Sequence, residues 1–358
     1  MKLYYNKSHY DKTYRRHLFP LLKPFIKQES FTDTERIEMY AISERDVTFV
    51  KNIEASDIVI LTMSWNYYEM TNQMTLAFNI VKQAKALNKT VLSVNIGDFG
   101  VVLPKLSRVL IYRESGYRSK LSKIHQGMPV FITDPLQKYY NSETIFTRPF
   151  QPIPSVGFCG QVNGDLLNAL KEILKVSLRN IKYYFKLTNF CPQDVQSTSY
   201  LRYQLLHRLE KSPSISTNFI FRKKHGAGMD FNRTAHPVTL EFYNNIKESD
   251  YILCYRGAGN FSVRFYETLA MGRIPVLVNT DCMLPLANEI DWKKHVVWVD
   301  AKEQHLVAEK IRDFHSALTA DTFLELQQNN RLLWESHLTL GGFFKYALKA
   351  IRYKDIDS

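Results

Sequence analysis

Arg256, Ser262, Arg264 and Glu267 share one short stretch, YRGAGNFSVRFYETLA, and their chemistry suits a nucleoside diphosphate. A guanidinium presents parallel N–H donors that match two phosphate oxygens, so Arg256 and Arg264 can each add charge-assisted bonds worth about 1.5–3 kcal/mol. Ser262 stands where a helix should begin, and a helix start carries unpaired N–H groups and a partial positive charge that attract an anion. Gly257 and Gly259 allow backbone to approach a ligand closely. Glu267, a pure acceptor when ionised, can hold both hydroxyls of a ribose. Arg264 and Glu267 fall on one helical stripe, leaving Val263, Tyr266 and Ala270 for the core.

For these side chains to converge, the stretch must sit at the edge of a sheet. Apolar runs at 251–254 and 274–278 read as buried strands on either side of it, and in open α/β sheets ligands bind beyond the carboxyl ends of the strands. The alternation runs along the whole chain. Strands are predicted at 57–62, 90–96, 108–112 and 128–134, with a helical pattern over 66–89, giving an N-terminal α/β domain at 1–150. RPFQPIPS, at 148–155, is rich in proline and suits a linker. Strands at 156–160, 218–222 and 295–300 and helices at 165–178, 237–247, 302–318 and 321–336 then build a second domain over 151–336. Residues 337–358 are expected to form a helix that packs back on the first domain. Strands alternating with helices imply parallel sheets with right-handed crossovers, so the expected fold is α/β, two Rossmann-like doubly wound domains facing a cleft.

Residues 248–286 resemble the signature of the exostosin-like glycosyltransferases. In that family a strand ends in Arg-Gly, a Ser-x-Arg opens a helix holding an acidic residue, and Gly-x-Ile-Pro-Val follows. Here these are Arg256-Gly257, Ser262-Val263-Arg264, Glu267 and Gly272-Arg273-Ile274-Pro275-Val276, with Leu284-Pro285 continuing the likeness. EASDIVILTMSWNYY and SVGFCGQVNGD resemble the corresponding N-domain strand and the strand and loop that open the second domain. The resemblance implies a GT-B fold whose second domain holds a sugar nucleotide, expected to be UDP-linked. The donor-binding set is then Gly160, Arg222, Arg256, Gly257, Ser262, Arg264 and Glu267. It further implies inverting transfer to a glycan or lipid-linked acceptor in cell-surface polysaccharide synthesis. Arg273 stands where many relatives have cysteine, a departure expected to affect packing more than chemistry.

An inverting transfer needs a base for the acceptor hydroxyl and cationic stabilisation of the departing diphosphate. Asp98 in NIGDFG follows a strand and is the candidate base, with His125 and Glu114 as the alternatives. Family members often carry Gly-x-Asp-His here, whereas this chain has Gly97-Asp98-Phe99. A non-catalytic nucleotide- or glycan-binding protein with a degenerate glycosyltransferase fold is therefore the rival reading. Lys224 and His225, beside Arg222, are further candidates for the nucleotide, and SGYRSK at 115–120 for the acceptor. The Asp-x-Asp at 355–357 sits near the chain end rather than at a strand end, so no metal and no cofactor are expected. A dinucleotide oxidoreductase would need GxGxxG after a strand, and GAGNFS lacks it.

The net charge of +12 and pI near 9.3 point to an anionic partner, and 45% hydrophobic content fills two ordinary cores. No zinc-finger, basic-zipper or RNA-binding motif accompanies the charge, so no nucleic acid is expected. Cys159, Cys191, Cys254 and Cys282 form no CxxC pair and read as free thiols. No run approaches the roughly 18–20 apolar residues of a membrane span, and the first residues lack the apolar run of a signal peptide. A cytoplasmic location is expected, with peripheral contact at the inner membrane face through YRRHLFPLLKPFIK at 14–27.

Overall fold

Alternate residues of the strand Tyr251–Cys254 enter different cores. Tyr251 and Leu253 pack with Val156 and Val276, while Ile252 and Cys254 pack with Phe265 and Leu269. Side chains alternate along a strand, so a run that is apolar throughout is stable only where both faces of its sheet are covered. The computed structural model describes residues 1–27, 31–222 and 237–351. Within them the strands are β1 Lys2–Tyr5, β2 Thr48–Phe49, β3 Ile58–Ile60, β4 Thr90–Asn95, β5 Val109–Arg113, β6 His125–Gly127, β7 Ser155–Gln161, β8 Ser216–Arg222, β9 Tyr251–Cys254, β10 Ile274–Asn279 and β11 Val297–Asp300.

These strands form two sheets whose pairings are all parallel. The first has the order β2-β1-β3-β4-β5-β6 and the second β11-β10-β9-β7-β8. In the second sheet the order reverses between β7 and β9, which places a crevice between the loops that follow those two strands. Two Rossmann-like domains facing one cleft make this a GT-B fold.

The first sheet is wider than predicted, because β1 and β2 join it. The strand predicted at 128–134 does not form. Parallel pairing of β5 and β6 ends at Arg113 and Gly127, and Gly127 then bridges to Pro285 of the other domain. The following chain crosses over, and the helix Pro135–Tyr140 buries Leu136 in the second domain's core. Packing thus passes to the second domain before the proline-rich segment at 148–155. Asp134 anchors the crossing through both oxygens to Arg331, at 2.9 and 2.5 Å. The helical pattern at 66–89 is broken into Trp65–Met70 and Met74–Ala86, where Asn72 takes a left-handed φ of 56°. The helix Thr198–Glu210 was not read from sequence.

The helix Leu340–Ile351 returns to the first domain, with Phe343 and Phe344 buried against Phe19, Tyr112 and Phe131. Gly341 makes this docking possible, since a Cβ there would lie 1.8 Å from the Ala41 carbonyl oxygen. Within the segment 14–27, Leu18, Phe19, Leu21 and Leu22 are fully buried in the same core, while Tyr14, Arg15 and Arg16 are exposed. Arg273 is buried as well. It donates to the carbonyls of Phe146 and Lys247 and to Gln327, tying the start of β10 to the linker, a packing role. All four cysteines are free.

Candidate functional site

A cleft of about 1630 Å³ opens between the domains, and its walls include Gly160, Arg222, Arg256, Gly257, Ser262, Arg264, Glu267 and Asp98. All the predicted donor-binding residues therefore share one cavity with the predicted base. The β7 end supplies Gly160, the loop after β9 supplies Arg256, Gly257 and Ser262, and the loop after β4 supplies Asp98 from the opposite domain. Nine cationic side chains against four carboxylates line the cavity, so its field favours an anion.

Ser262 begins the helix Val263–Ala270 with extended backbone, and its side chain makes no capping bond. Arg264, in the first turn, donates to the Cys159 carbonyl at 2.7 Å and lies over the Phe158 ring at 4.3 Å. Gly160 leaves space for that guanidinium, since a Cβ would meet its Nη2 at 2.7 Å. Phe265, Tyr266 and Leu269 turn into the core behind it, whereas Val263 is exposed at the cleft wall rather than buried as predicted. Glu267 accepts from the Tyr243 hydroxyl at 3.2 Å, and burial pushes its carboxyl up to about 7 against the opposing pull of Arg264.

Arg256 and Arg222 have partners within the chain. Arg256 is buried at the junction of the domains, donating to the Tyr117 hydroxyl at 2.7 Å, to Gln193 at 2.9 Å and to the Ala258 carbonyl at 3.2 Å. Arg222 pairs with Glu241 at 2.6 Å and donates to the Val238 carbonyl. Lys224, His225 and the Asp-x-Asp at 355–357 lie outside the described residues.

Sequence reasoning missed Arg179 and Arg202. Arg179 sits on the helix Leu166–Tyr184, and its guanidinium stacks on Phe99 at 3.5 Å from the ring centre. Phe99 is the residue standing where histidine was expected. Arg202 donates to the carbonyls of Gln161 and Arg256, stitching the end of β7 to the loop after β9, and burial and Arg264 push its pKa down to about 10. Among the described residues, the buried Nε groups of Arg179, Arg202, Arg256 and Arg264 have no hydrogen-bond partner, and all four arginines line this cleft. Buried donors without acceptors are costly, at about 1–3 kcal/mol each, and an anion in the cleft can relieve them. The regular spacing of Lys171, Lys175 and Arg179 was the available signal for Arg179.

On the opposite wall, Asp98 is exposed and accepts from the Gly259 N–H at 3.0 Å, while its carbonyl accepts from the Ser115 hydroxyl. Glu114 accepts from the Gly97 N–H at 2.7 Å, and burial raises its pKa. His125 lies on β6 away from the cavity, its pKa pushed down to about 3 by burial and by Arg113 and Arg118. The 115–120 loop lies at the domain junction, where Ser119 bonds Asp281 and Lys120 pairs with Asp194. Among the described residues, no three His, Cys, Asp or Glu side chains converge as metal ligands.

Residues 152–312 match the Exostosin GT47 domain. Exostosin-1 of Drosophila melanogaster is 34% identical over 92 residues, covering 26% of this chain and 12% of that protein. A probable beta-1,4-xylosyltransferase, IRX10L of Arabidopsis thaliana, is 36% identical over 70 residues, covering 20% of this chain and 16% of that one. The chain thus spans under a fifth of the length of either relative. The crystal structure of CalG4, the calicheamicin glycosyltransferase, aligns with 83% of this chain and 73% of its own at 9% identity and a TM-score of 0.32.

Proposed function

We propose that the protein is a glycosyltransferase moving a sugar from a nucleoside-diphosphate donor to a glycan or lipid-linked acceptor, a reading supported by the match of residues 152–312 to the Exostosin GT47 domain. One observation carries the reading. Arg264, Glu267 and the Ser262 helix start converge at the crevice between β7 and β9, and Asp98 faces them from the other domain. The diphosphate would lie at the helix start, with the guanidinium groups of Arg264, Arg179 and Arg202 around it. Glu267 would accept from the ribose hydroxyls.

In the proposed step, Asp98 takes the proton from the acceptor hydroxyl as its oxygen bonds to the anomeric carbon. The bond from that carbon to the diphosphate breaks, and the diphosphate leaves with the electron pair. Attack opposite the leaving group inverts the anomeric centre. The arginines neutralise the leaving group, so neither a metal nor another cofactor is invoked. A UDP-linked donor and a role in cell-surface polysaccharide synthesis complete the proposal. A cytoplasmic location belongs with it.

Phe99 beside Asp98 favours a second reading, a degenerate fold that binds nucleotide or glycan without turnover. The two separate in an assay of nucleoside-diphosphate release from a panel of sugar nucleotides, with saccharide acceptors and excess EDTA. Acceptor-dependent release supports transfer without a metal. Binding with no release favours the degenerate fold, and release that returns only with added manganese or magnesium refutes the metal-free step.

A further inference from the structure

The helix Leu166–Tyr184 has three unlike faces. Ala169 and Asn180 are buried against the domain, and Lys171, Lys175, Arg179 and Lys182 line the cleft, with Leu174 and Leu178 at its border with the third face. The remaining face is apolar and open to solvent. Leu167, Leu170, Leu174, Leu178 and Ile181 recur at helical spacing along it, from 47% exposed at Ile181 to 68% at Leu167. Phe185 and Leu187 extend the stripe beyond the helix and are more exposed still. Among the described residues, other exposed large apolar side chains are scattered. A contiguous stripe of this size marks an interaction surface rather than ordinary surface.

The charges beside the stripe indicate the partner. Lys171, Lys175 and Lys182 run along its cleft-side border, and exposed Lys186 follows the helix. The helix has a single carboxylate, Glu172, and that one is turned inward to accept from the hydroxyls of Ser197 and Ser199 at 2.6 and 2.7 Å. Leucines flanked by lysines, with no acid on the open face, match a bilayer interface: apolar groups enter the acyl boundary while lysine stems extend to anionic headgroups.

We propose that this helix docks the protein on an anionic lipid bilayer, lying in the plane of the interface with Leu167, Leu170, Leu174 and Leu178 inserted. The proposal does not involve the segment 14–27, in which Leu18, Phe19, Leu21 and Leu22 are fully buried. Because the lysine face of the same helix lines the cleft, docking sets the cleft mouth beside the headgroups. The proposal does not depend on the transfer reaction.

The test is cosedimentation of the full chain with phosphatidylcholine vesicles, with and without phosphatidylglycerol. Binding to the phosphatidylglycerol vesicles is expected, weakening as salt rises. The double variant Leu167→Glu/Leu170→Glu, at two exposed positions outside the cleft, should bind at least about tenfold more weakly with an unchanged thermal midpoint. In Lys175→Gln/Lys182→Gln, which leaves the leucines intact, each lysine removed should weaken binding about fivefold. Binding undiminished in both variants would overturn the proposal. So would a wild-type chain that ignores vesicles, whether it stays monomeric or forms a dimer that the leucine variant dissociates; the latter would assign the stripe to a second copy of the chain.

Discussion

The carboxylate of Asp98 accepts a hydrogen bond from the backbone N–H of Gly259 across the domain cleft, at 3.0 Å. A Cβ at position 259 would lie 2.6 Å from the Asp98 Cα and 2.8 Å from its Oδ1. The glycine therefore admits the partner domain's backbone, not a ligand as its sequence context suggested. Beside it, the Asn260 N–H donates to Ser115, whose hydroxyl donates to the Asp98 carbonyl. The loops after β4, β5 and β9 are thereby held in one register.

Gly259→Ala should force those loops apart. The atoms displaced include the Asp98 backbone, so the cost is expected at about 1–3 kcal/mol, the range for overpacking. Chemical denaturation should show the loss, and transfer activity should fall with it. An unchanged midpoint would mean that the cross-cleft contact is dispensable.

Asp98→Asn keeps the shape and an oxygen for the Gly259 N–H but removes the basic carboxylate. Donor affinity should hold while the transfer rate falls about a hundredfold or more, the scale of lost general-base catalysis. Near-normal turnover with an unchanged pH profile would move the base elsewhere. Glu114 would then be the first residue to replace, since its carboxylate accepts from the Gly97 N–H beside Asp98.

Arg256→Ala should act mainly on stability. Its guanidinium is shared among Tyr117, Gln193 and the Ala258 carbonyl at a buried domain junction, and truncation leaves those partners unsatisfied. A loss of about 2–4 kcal/mol in unfolding free energy is expected. Full stability with lost nucleotide binding would instead make Arg256 a plain ligand contact.

The double alternation of apolar strands and helices was legible because a buried parallel sheet needs continuous apolar runs, as at 90–95 and 251–254. The loop after β9 was legible for a different reason, its dense placement of arginine, glycine and glutamate. The partners of those residues were not. Nothing local to Arg256 announces Tyr117 and Gln193, which are far away in sequence, and Arg222 gives no sign of pairing with Glu241. The run at 128–134 looked like a strand because it is apolar, but its residues divide between the domains instead of joining a sheet: Met128 and Phe131 pack with the first core, and half-buried Val130 and Ile132 with the second. The leucines of the helix Leu166–Tyr184 read as core by periodicity alone, and only the fold shows that face to be open.

Glu267 gives a pH dependence. Burial holds its carboxyl at about 7, above the usual carboxylate range, and accepting two ribose hydroxyls requires the ionised form. Affinity for a UDP-sugar, whose diester phosphates do not titrate near neutrality, should be full above about pH 7 and fall up to about tenfold per unit below it. Glu267→Gln should flatten this dependence. An identical slope in wild type and variant would remove Glu267 from the nucleotide site.

The most direct measurement is calorimetric titration of UDP into the wild-type chain and into Arg264→Ala. Among the described residues Arg264 makes one hydrogen bond, to the Cys159 carbonyl, and its buried Nε at the helix start has no partner. UDP should bind the wild type, and the alanine variant should bind about tenfold to a hundredfold more weakly, the worth of one charge-assisted phosphate bond, with its fold intact. Equal affinity in the two proteins, or no UDP binding to the wild type at all, would contradict the placement of the donor diphosphate between β7 and β9.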